Sequence, residues 1–349
     1  MVALPEEQHT TLKLVERATE EAQATNGGGR AHLGASLIGD ECQRKLWFIF
    51  RWAAQTKHPA RLLRLFNRGA REEEVFNFLL RQAGLNVWDV DPDTNQQWRV
   101  EAVGGHFGGS LDGVVQGLVE APKAPHVSEQ KTHNDKSFKN VRSKGVQESK
   151  PEHYAQMQVY MHLMNIDRAL YQAVNKNDDE LYFERVKYDK QTAEGLLAKA
   201  ERIITSDLPP EGISHDPAFY KCKWCDQSNV CHGNQVPQAN CRTCCFSTPE
   251  TDGDARWSCS KHGKDLNQED QRLGCDQHLF IPALLTNWAE CIDGDDDAVR
   301  YRNKSTGAEF VNGEGGFTSK EMAKVIDVSV LGDPIVDTLK QEFGAEVVG

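Results

Sequence analysis

The sequence predicts an α/β fold, with helices packed on a mixed β-sheet. Three observations carry this expectation. A helix-period stretch over residues 59–83 gives way to short valine- and aromatic-bearing runs between Gly, Asp and Pro turns from 86 to 131. A second helical stretch, 151–166, precedes two strand patterns, 169–174 and 181–187, and a further helix at 189–207. The order helix, meander, helix, strands, helix is that of a sheet covered by helices.

Element by element, residues 7–25 read as a polar helix ended by the glycine-rich stretch Asn26 to Gly29, and 40–54 as a helix with Cys42 near its start. In 59–83, Leu62, Leu65, Phe66, Val75, Phe76 and Leu79 recur at helical intervals and Gly84 supplies a stop. From Asn86 to Lys131 the turn-punctuated runs read as strands. Pro151 suits the first turn of the next helix. The two following strands are joined by a turn over Asn175 to Glu180, and the helix at 189–207 is closed by Pro209 and Pro210. From Tyr220 the chain is cysteine-rich; 241–282 reads as a small metal-supported module. Beyond it lie a hairpin over Val299 to Phe310, turning at Gly307, and two short helices.

Bulk properties bound the function. The 349 residues suggest roughly two units. The MVALPEEQHT start shows no secretory signal, and no apolar run approaches the roughly 20 residues of a membrane span, so a soluble cytoplasmic protein is expected. The net charge of −12 counts against a nucleic-acid binder, whose affinity rests on cations meeting phosphates. Its distribution matters more: basic residues gather over Arg44 to Arg71 and Lys131 to Lys150, acidic ones at Asp293 to Asp297. Ten cysteines in clustered spacings point to metal or redox chemistry rather than disulfides in such a chain.

Three segments carry candidate chemistry. Gly109-Ser110-Leu111-Asp112-Gly113 puts an acid near a strand end. Val127-Ser128-Glu129-Gln130-Lys131 puts Glu129 and Lys131 on one face of a strand. The helix with Glu72, Glu73 and Glu74 can add another carboxylate. Phosphodiester hydrolysis requires such a set: carboxylate oxygens hold Mg²⁺ or Mn²⁺, the metal activates water, and a lysine orients or helps deprotonate that water and offsets developing charge. The Gln130 backbone carbonyl is a further candidate ligand. Gln156 and Tyr160, four apart, share a helix face.

In this order, Arg68-Gly69 with Glu73, then Asp112, then Glu129-Gln130-Lys131-Thr132, then Gln156 and Tyr160, the sequence resembles the RecB-like branch of the PD-(D/E)XK nucleases over roughly residues 34–232. That branch includes CRISPR-associated and bacteriophage exonucleases with iron–sulfur clusters. The resemblance implies a restriction-endonuclease-like core. It also implies Mg²⁺ or Mn²⁺ held by Glu73, Asp112, Glu129 and Gln130, and a Gln156/Tyr160 face beside the active site. Glu72 is an alternative to Glu73. Arg68, Lys136, Lys139, Arg142 and Lys144 are candidate DNA contacts, the last four in a polar basic loop or helix after the ExK strand.

Cys222-x2-Cys225-x5-Cys231 offers three thiolates, and Cys42 is the only cysteine upstream of them. A distant cysteine followed by a late CxxCx5C also resembles the iron–sulfur nucleases, which implies a [4Fe–4S] staple on these four residues; the same thiolates suit Zn²⁺. Farther on, Cys241, Cys244, Cys259 and Cys275 form the simplest closed zinc site, with His278 or His262 able to replace a cysteine and Cys245 a poor fourth partner to its neighbour. Arg242, Arg256 and Trp257 could grip DNA or a partner protein there, or pack around the metal.

The expected organisation is a nuclease domain at 1–235 closed by the iron–sulfur cluster, a zinc module at 236–290, and a C-terminal segment, 291–349, without an assigned role. The expected function is metal-dependent DNA cleavage, from DNA ends, in phage or prokaryotic recombination, replication or repair, with a homo-oligomer or a recombination or replication protein as possible partners and no membrane. The competing readings are a non-catalytic, metal-stapled binding protein of the same fold, and a redox or regulatory iron–sulfur protein.

Overall fold

The computed structural model describes residues 10–24, 29–55 and 57–347. The ends of the first expected helix (7–9 and 25) and most of its glycine-rich stop lie outside these. The chain forms a mixed α/β structure of two compact units: residues 1–28, 56–100 and 109–194 in one, residues 29–55, 101–108 and 195–349 in the other. The residues expected to form one nuclease domain, 1–235, are thus shared between the two. Among the described residues no helix is long and apolar enough to cross a membrane.

The first unit is built on a five-stranded sheet. Its helices are α1 (Thr10–Ala24), α2 (Ala60–Gln82), α3 (Asp135–Ser149) and α4 (Pro151–Met164). Its strands are β1 (Asn86–Trp88), β2 (Gly113–Gln116), β3 (His126–His133), β4 (Arg168–Asn175) and β5 (Leu181–Lys187). The order across the sheet is β5-β4-β3-β2-β1. Only β3 and β4 run parallel; the other neighbours are antiparallel. A parallel pair needs a long crossover, and α3 and α4 supply it. The basic segment after β3, read from sequence as loop or helix, is α3. Asn134 caps it by accepting from the Ser137 N–H at 2.8 Å. Pro151 opens α4, and Asn165, in the left-handed conformation (φ 52°), closes it.

Strand alternation gives β3 two distinct faces. Its even face meets α2: Gln130 Nε2 donates to Asn77 Oδ1 at 2.8 Å. The same side of the sheet holds an apolar cluster of Leu80, Val115, Leu118 and Leu170. Its odd face, with Glu129, Lys131 and His133, is turned to the α4 side.

The second unit is made of shorter pieces. A helix at Gln43–Phe50 begins on Cys42, whose sulfur accepts from the Lys45 N–H at 3.4 Å. Two four-residue helices, Tyr220–Lys223 and Ser228–Cys231, carry the second cysteine group. Strands Ser247–Pro249, Trp257–Cys259 and Lys264–Leu266 form one small sheet. The expected C-terminal hairpin is one half of a three-stranded sheet, because Ala289–Gly294 joins Ala298–Asn303 and Glu309–Gly313. Gly307 (φ 74°) turns between the last two. One apolar core joins Val236, Leu279, Phe280 and Trp288 to Val299, Tyr301, Phe310 and Met322. The expected boundary at 290/291 therefore falls inside a strand, and residues on both sides of it share a core. Periodicity shows a strand but not its partner, which is why the first strand of this sheet was missed.

Candidate active site

The carboxylates and the lysine converge where β2 begins. Gly109 and Gly113 bracket Asp112, and each position has a steric reason. A Cβ on Gly109 would lie 2.5 Å from the Tyr160 hydroxyl. Gly113 has a φ of +145°, and a Cβ there would lie 2.8 Å from the Trp88 carbonyl oxygen. Before Gly113 the chain has left the edge of β3, since the Leu111 N–H donates to the Trp98 carbonyl at 3.0 Å. The freed edge is used differently: the Gln130 N–H donates to Asp112 Oδ2 at 2.7 Å. A strand residue's N–H and C=O point to the same side, so the Gln130 carbonyl faces Asp112 as well.

Glu129 is completely buried. The Lys131 ammonium is ion-paired with its Oε1 and lies 3.9 Å from Asp112 Oδ2. Glu129 Oε2 has no hydrogen-bond partner among the described residues. Burial, together with the charges of Asp112 and Glu73, pushes the Glu129 carboxyl up to about 7 against the pull of Lys131. Glu73 is likewise pushed up to about 7, by burial first and then by Asp112. Burial works to lower the Lys131 ammonium, but Glu129 and Asp112 outweigh it and hold its pKa above the ordinary lysine value. Three acids therefore share one lysine, and two resist ionisation at neutral pH. A buried carboxylate oxygen without a donor fits a hard cation; Glu73, Asp112 and the Gln130 carbonyl are the other oxygens that could join it.

On α4, Gln156 Nε2 donates to the Tyr160 hydroxyl oxygen at 3.2 Å, and that hydroxyl donates to the Ser110 carbonyl at 2.9 Å. The pair thus holds the segment leading into Asp112. Glu72 turns elsewhere, 3.7 Å from Arg68 Nε, and Arg68 also donates to the Lys176 carbonyl at 3.2 Å. On α3, Lys139 pairs with Asp135 at 2.9 Å, Lys144 with Glu148 at 2.9 Å and Arg142 with Glu180, while Lys136 is exposed. The expected cations lie on an exposed helix, three of them already paired with carboxylates.

Sequence reasoning overlooked the polar layer around this site. On one side of β3, Asn77, Ser128 and Gln172 join Gln130, with Gln172 Nε2 donating to Ser128 Oγ at 2.7 Å. On the other side His133 and His153 meet Tyr171. The only available signal was the spacing His153, Gln156, Tyr160, which places the histidine on the motif's helix face.

The cysteines form two groups in the second unit. Burial raises the Cys222, Cys225 and Cys231 thiols, and the charge of Cys42 acts on all three. Lys45 and Arg44 pull the other way on Cys225 and Cys231. Cys241, Cys244, Cys259 and Cys275 line one cavity of about 450 Å³ together with His262 and His278; Cys245 is not part of its lining. Burial and the other three cysteines push Cys241 up to about 12. His262 Nε2 lies 3.5 Å from Cys275 Sγ. His278 is buried, with Nε2 2.9 Å from the Asn240 carbonyl oxygen and Nδ1 without a partner among the described residues. Among the described residues, no three His, Cys, Asp or Glu side chains stand in an arrangement that holds a metal ion.

Arg242 and Trp257 are interior. Arg242 is 1% exposed, with its guanidinium 3.7 Å from the Trp52 ring centre and 4.8 Å from that of Trp257. It donates to the carbonyls of Ala31 and Phe50 at 2.9 and 3.0 Å. Arg256 is engaged by Asp252 and Asp265.

No family model and no curated protein matches the chain. Among solved structures it is similar to SSO0001, with 14% identity over 64% of this chain and 97% of that one, at a TM-score of 0.39. It is also similar to the alkaline exonuclease LHK-Exo from Laribacter hongkongensis, with 15% identity over 54% of this chain and 90% of that one, at a TM-score of 0.36. A third is LHK-Exo in complex with dAMP, with 16% identity over 50% of this chain and 86% of that one, at a TM-score of 0.36. Likeness at this level transfers no role to any residue.

Proposed function

We propose that the chain is a metal-dependent DNA nuclease of the PD-(D/E)XK type, acting on DNA ends. The observation that carries this reading is Glu129: fully buried, one oxygen paired with Lys131, the other without a donor, and Asp112 and Glu73 close enough to perturb it. Folding leaves a carboxylate in that state at a cost, and a divalent cation relieves it. Glu73, Asp112, Glu129 and the Gln130 carbonyl would hold Mg²⁺ or Mn²⁺. Bound there, the cation polarises a phosphoryl oxygen and acidifies a water.

The chain's own groups do the rest. Lys131 stays protonated beside Glu129 and Asp112, so it offsets charge that develops on the phosphate rather than accepting a proton. Tyr160 and Gln156 hold the backbone at Ser110 and so fix the approach of Asp112. The cations of α3 would meet the DNA backbone, exchanging weak exposed pairs for phosphates.

The same reading assigns [4Fe–4S] to Cys42, Cys222, Cys225 and Cys231, supported by their mutual electrostatic influence and by Lys45 and Arg44 beside them. It assigns Zn²⁺ to Cys241, Cys244, Cys259 and Cys275, supported by their common cavity. Both are structural roles. Anaerobically purified protein should then be brown, absorbing near ~400 nm as thiolate-bound clusters do; a colourless protein containing only zinc would reverse the first assignment.

The deciding test incubates end-labelled single- and double-stranded DNA with the protein and Mg²⁺, Mn²⁺ or EDTA, beside Lys131→Ala. Cleavage that needs metal and is lost in the variant is expected. DNA binding without cleavage would instead identify a non-catalytic binding protein.

A further inference from the structure

The odd face of β3 continues past the catalytic lysine to His133, which is 5% exposed. Opposite it on α4, His153 stands three and seven residues before Gln156 and Tyr160, on their helix face. Tyr171 of β4, fully buried and in register with Glu129, joins the two rings. Its hydroxyl lies 2.7 Å from His133 Nε2 and 2.9 Å from His153 Nδ1, and His133 Nδ1 lies 3.0 Å from Ser137 Oγ.

A phenol has one proton to donate; with that buried proton used on one of the two rings, this chain of four groups runs in one direction or the other. In the first, Ser137 donates to His133 Nδ1, His133 Nε2–H donates to Tyr171, and Tyr171 donates to His153 Nδ1. His153 then carries its proton on Nε2. In the second, every bond is reversed and Nε2 offers a lone pair. His153 Nε2 stands at the end of this chain of bonds.

The surroundings select between them. Apart from the rings themselves, the charges acting on the two histidines are cationic: Lys131, Lys150 and, for His133, Lys176. With burial they push His133 down to about 4 and His153 to about 2, so both rings are neutral at working pH. Cations there attract an anion, and a phosphodiester offers only acceptor oxygens, which the first direction satisfies.

We propose that His153 is a DNA-contacting residue of this site, donating from Nε2–H to a non-bridging phosphate oxygen beside Lys131, and that Tyr171, His133 and Ser137 are positioning residues that set its tautomer. The assignment rests on the nuclease reading above. A neutral donor adds orientation without another charge to desolvate, and it ties phosphate placement to β4.

The test uses the full chain and a fluorescein-labelled 20-base-pair duplex, with binding followed by anisotropy in Ca²⁺ and cleavage in Mg²⁺. H153A is expected to bind the duplex about tenfold more weakly, the scale of one hydrogen bond to a charged group, with KM raised more than kcat. H153Q keeps an N–H donor and should recover most of the affinity. Imidazole ¹⁵N spectra should show His153 protonated on Nε2 and bare on Nδ1. Y171F should mix the two tautomers and weaken binding severalfold without lowering the melting temperature enough to account for it.

Wild-type affinity and KM in both H153A and Y171F, or a DNA-bound His153 protonated on Nδ1, would overturn the proposal. If Lys131→Ala abolishes cleavage while the His153 variants change nothing, the contact is refuted and the nuclease reading stands. A wild-type protein that neither binds nor cuts the duplex refutes both. Should H153A melt early, H153Q and Y171F decide.

Discussion

The carboxylate site and the cysteine groups solve the same problem, holding several polar side chains together, by opposite means. The first sits on an eight-residue central strand paired on both sides, with helices of 23 and 14 residues bringing Glu73 and Tyr160 to it. Backbone hydrogen bonds fix its geometry, down to the Gln130 N–H that fastens Asp112. Apart from Cys42, which caps an eight-residue helix, the grouped cysteines that lie in helices or strands ride on pieces of three or four residues, too short to hold a geometry alone. Arg242, next in sequence to Cys241, stacks on Trp52 and Trp257; on the proposed reading, metal orders both cysteine groups. One site is preorganised by secondary structure; on the proposed reading the other is held by metal.

The largest expected effect tests that contrast directly. Stripping metal with a strong chelator, or substituting Cys241→Ser, should abolish cooperative unfolding of the cysteine-bearing unit, since structural metal binding is folding energy. Lys131→Ala should leave that transition in place. An unchanged melting curve after complete metal removal would remove the contrast.

Next in size, Lys131→Ala or Asp112→Ala should lower cleavage at least about a thousandfold, the upper end for losing one preorganised charge-stabilising group. Lys131→Ala should also destabilise the fold, because Glu129 is left buried without its cation. A variant of normal stability and near-normal activity would remove Lys131 from the mechanism.

The pH dependence sharpens the comparison. Glu129 and Glu73 have folded-state pKa values raised to about 7. Their contribution to the stability of the metal-free protein is fully present below their unfolded value near ~4.3. It is lost as pH rises through about 7. Mn²⁺ binding runs the other way. Below pH 7 affinity should fall by about tenfold per pH unit for each proton displaced. Denaturant titrations at pH 5 and 8, with Glu129→Gln flattening the profile, test the first part, and Mn²⁺ titration tests the second. A wild-type profile identical to that of Glu129→Gln would show that burial does not control this carboxyl.

Smaller still, Gly109→Ala should cost about 1–3 kcal/mol as an overpacked position, through collision with Tyr160, and lower activity by shifting Asp112. The smallest effects belong to α3. Lys139→Gln and Lys144→Gln should leave stability unchanged, while each substitution that removes a phosphate-binding cation lowers the salt dependence of DNA binding by about one ion. An unchanged salt slope in the double variant would take α3 off the DNA path.

Local pattern determined much of this protein. Helical period marked α2 and α4, turn residues marked the meander, and the acids, the lysine and the cysteine spacings stood in the sequence itself. What pattern could not supply was every relation that depends on register or on which face is buried. Glu73 rather than Glu72 is coupled to Asp112 because of the rotation of α2 against the sheet. Arg242 and Trp257, polar or aromatic and so readable as surface grips, are interior because they stack on each other. Asn77 lies 53 residues from Gln130, and Tyr171 lies 38 from His133. Such pairs meet only once strands are in register, a long-range choice made by the collective burial of apolar faces, which no short window of sequence contains.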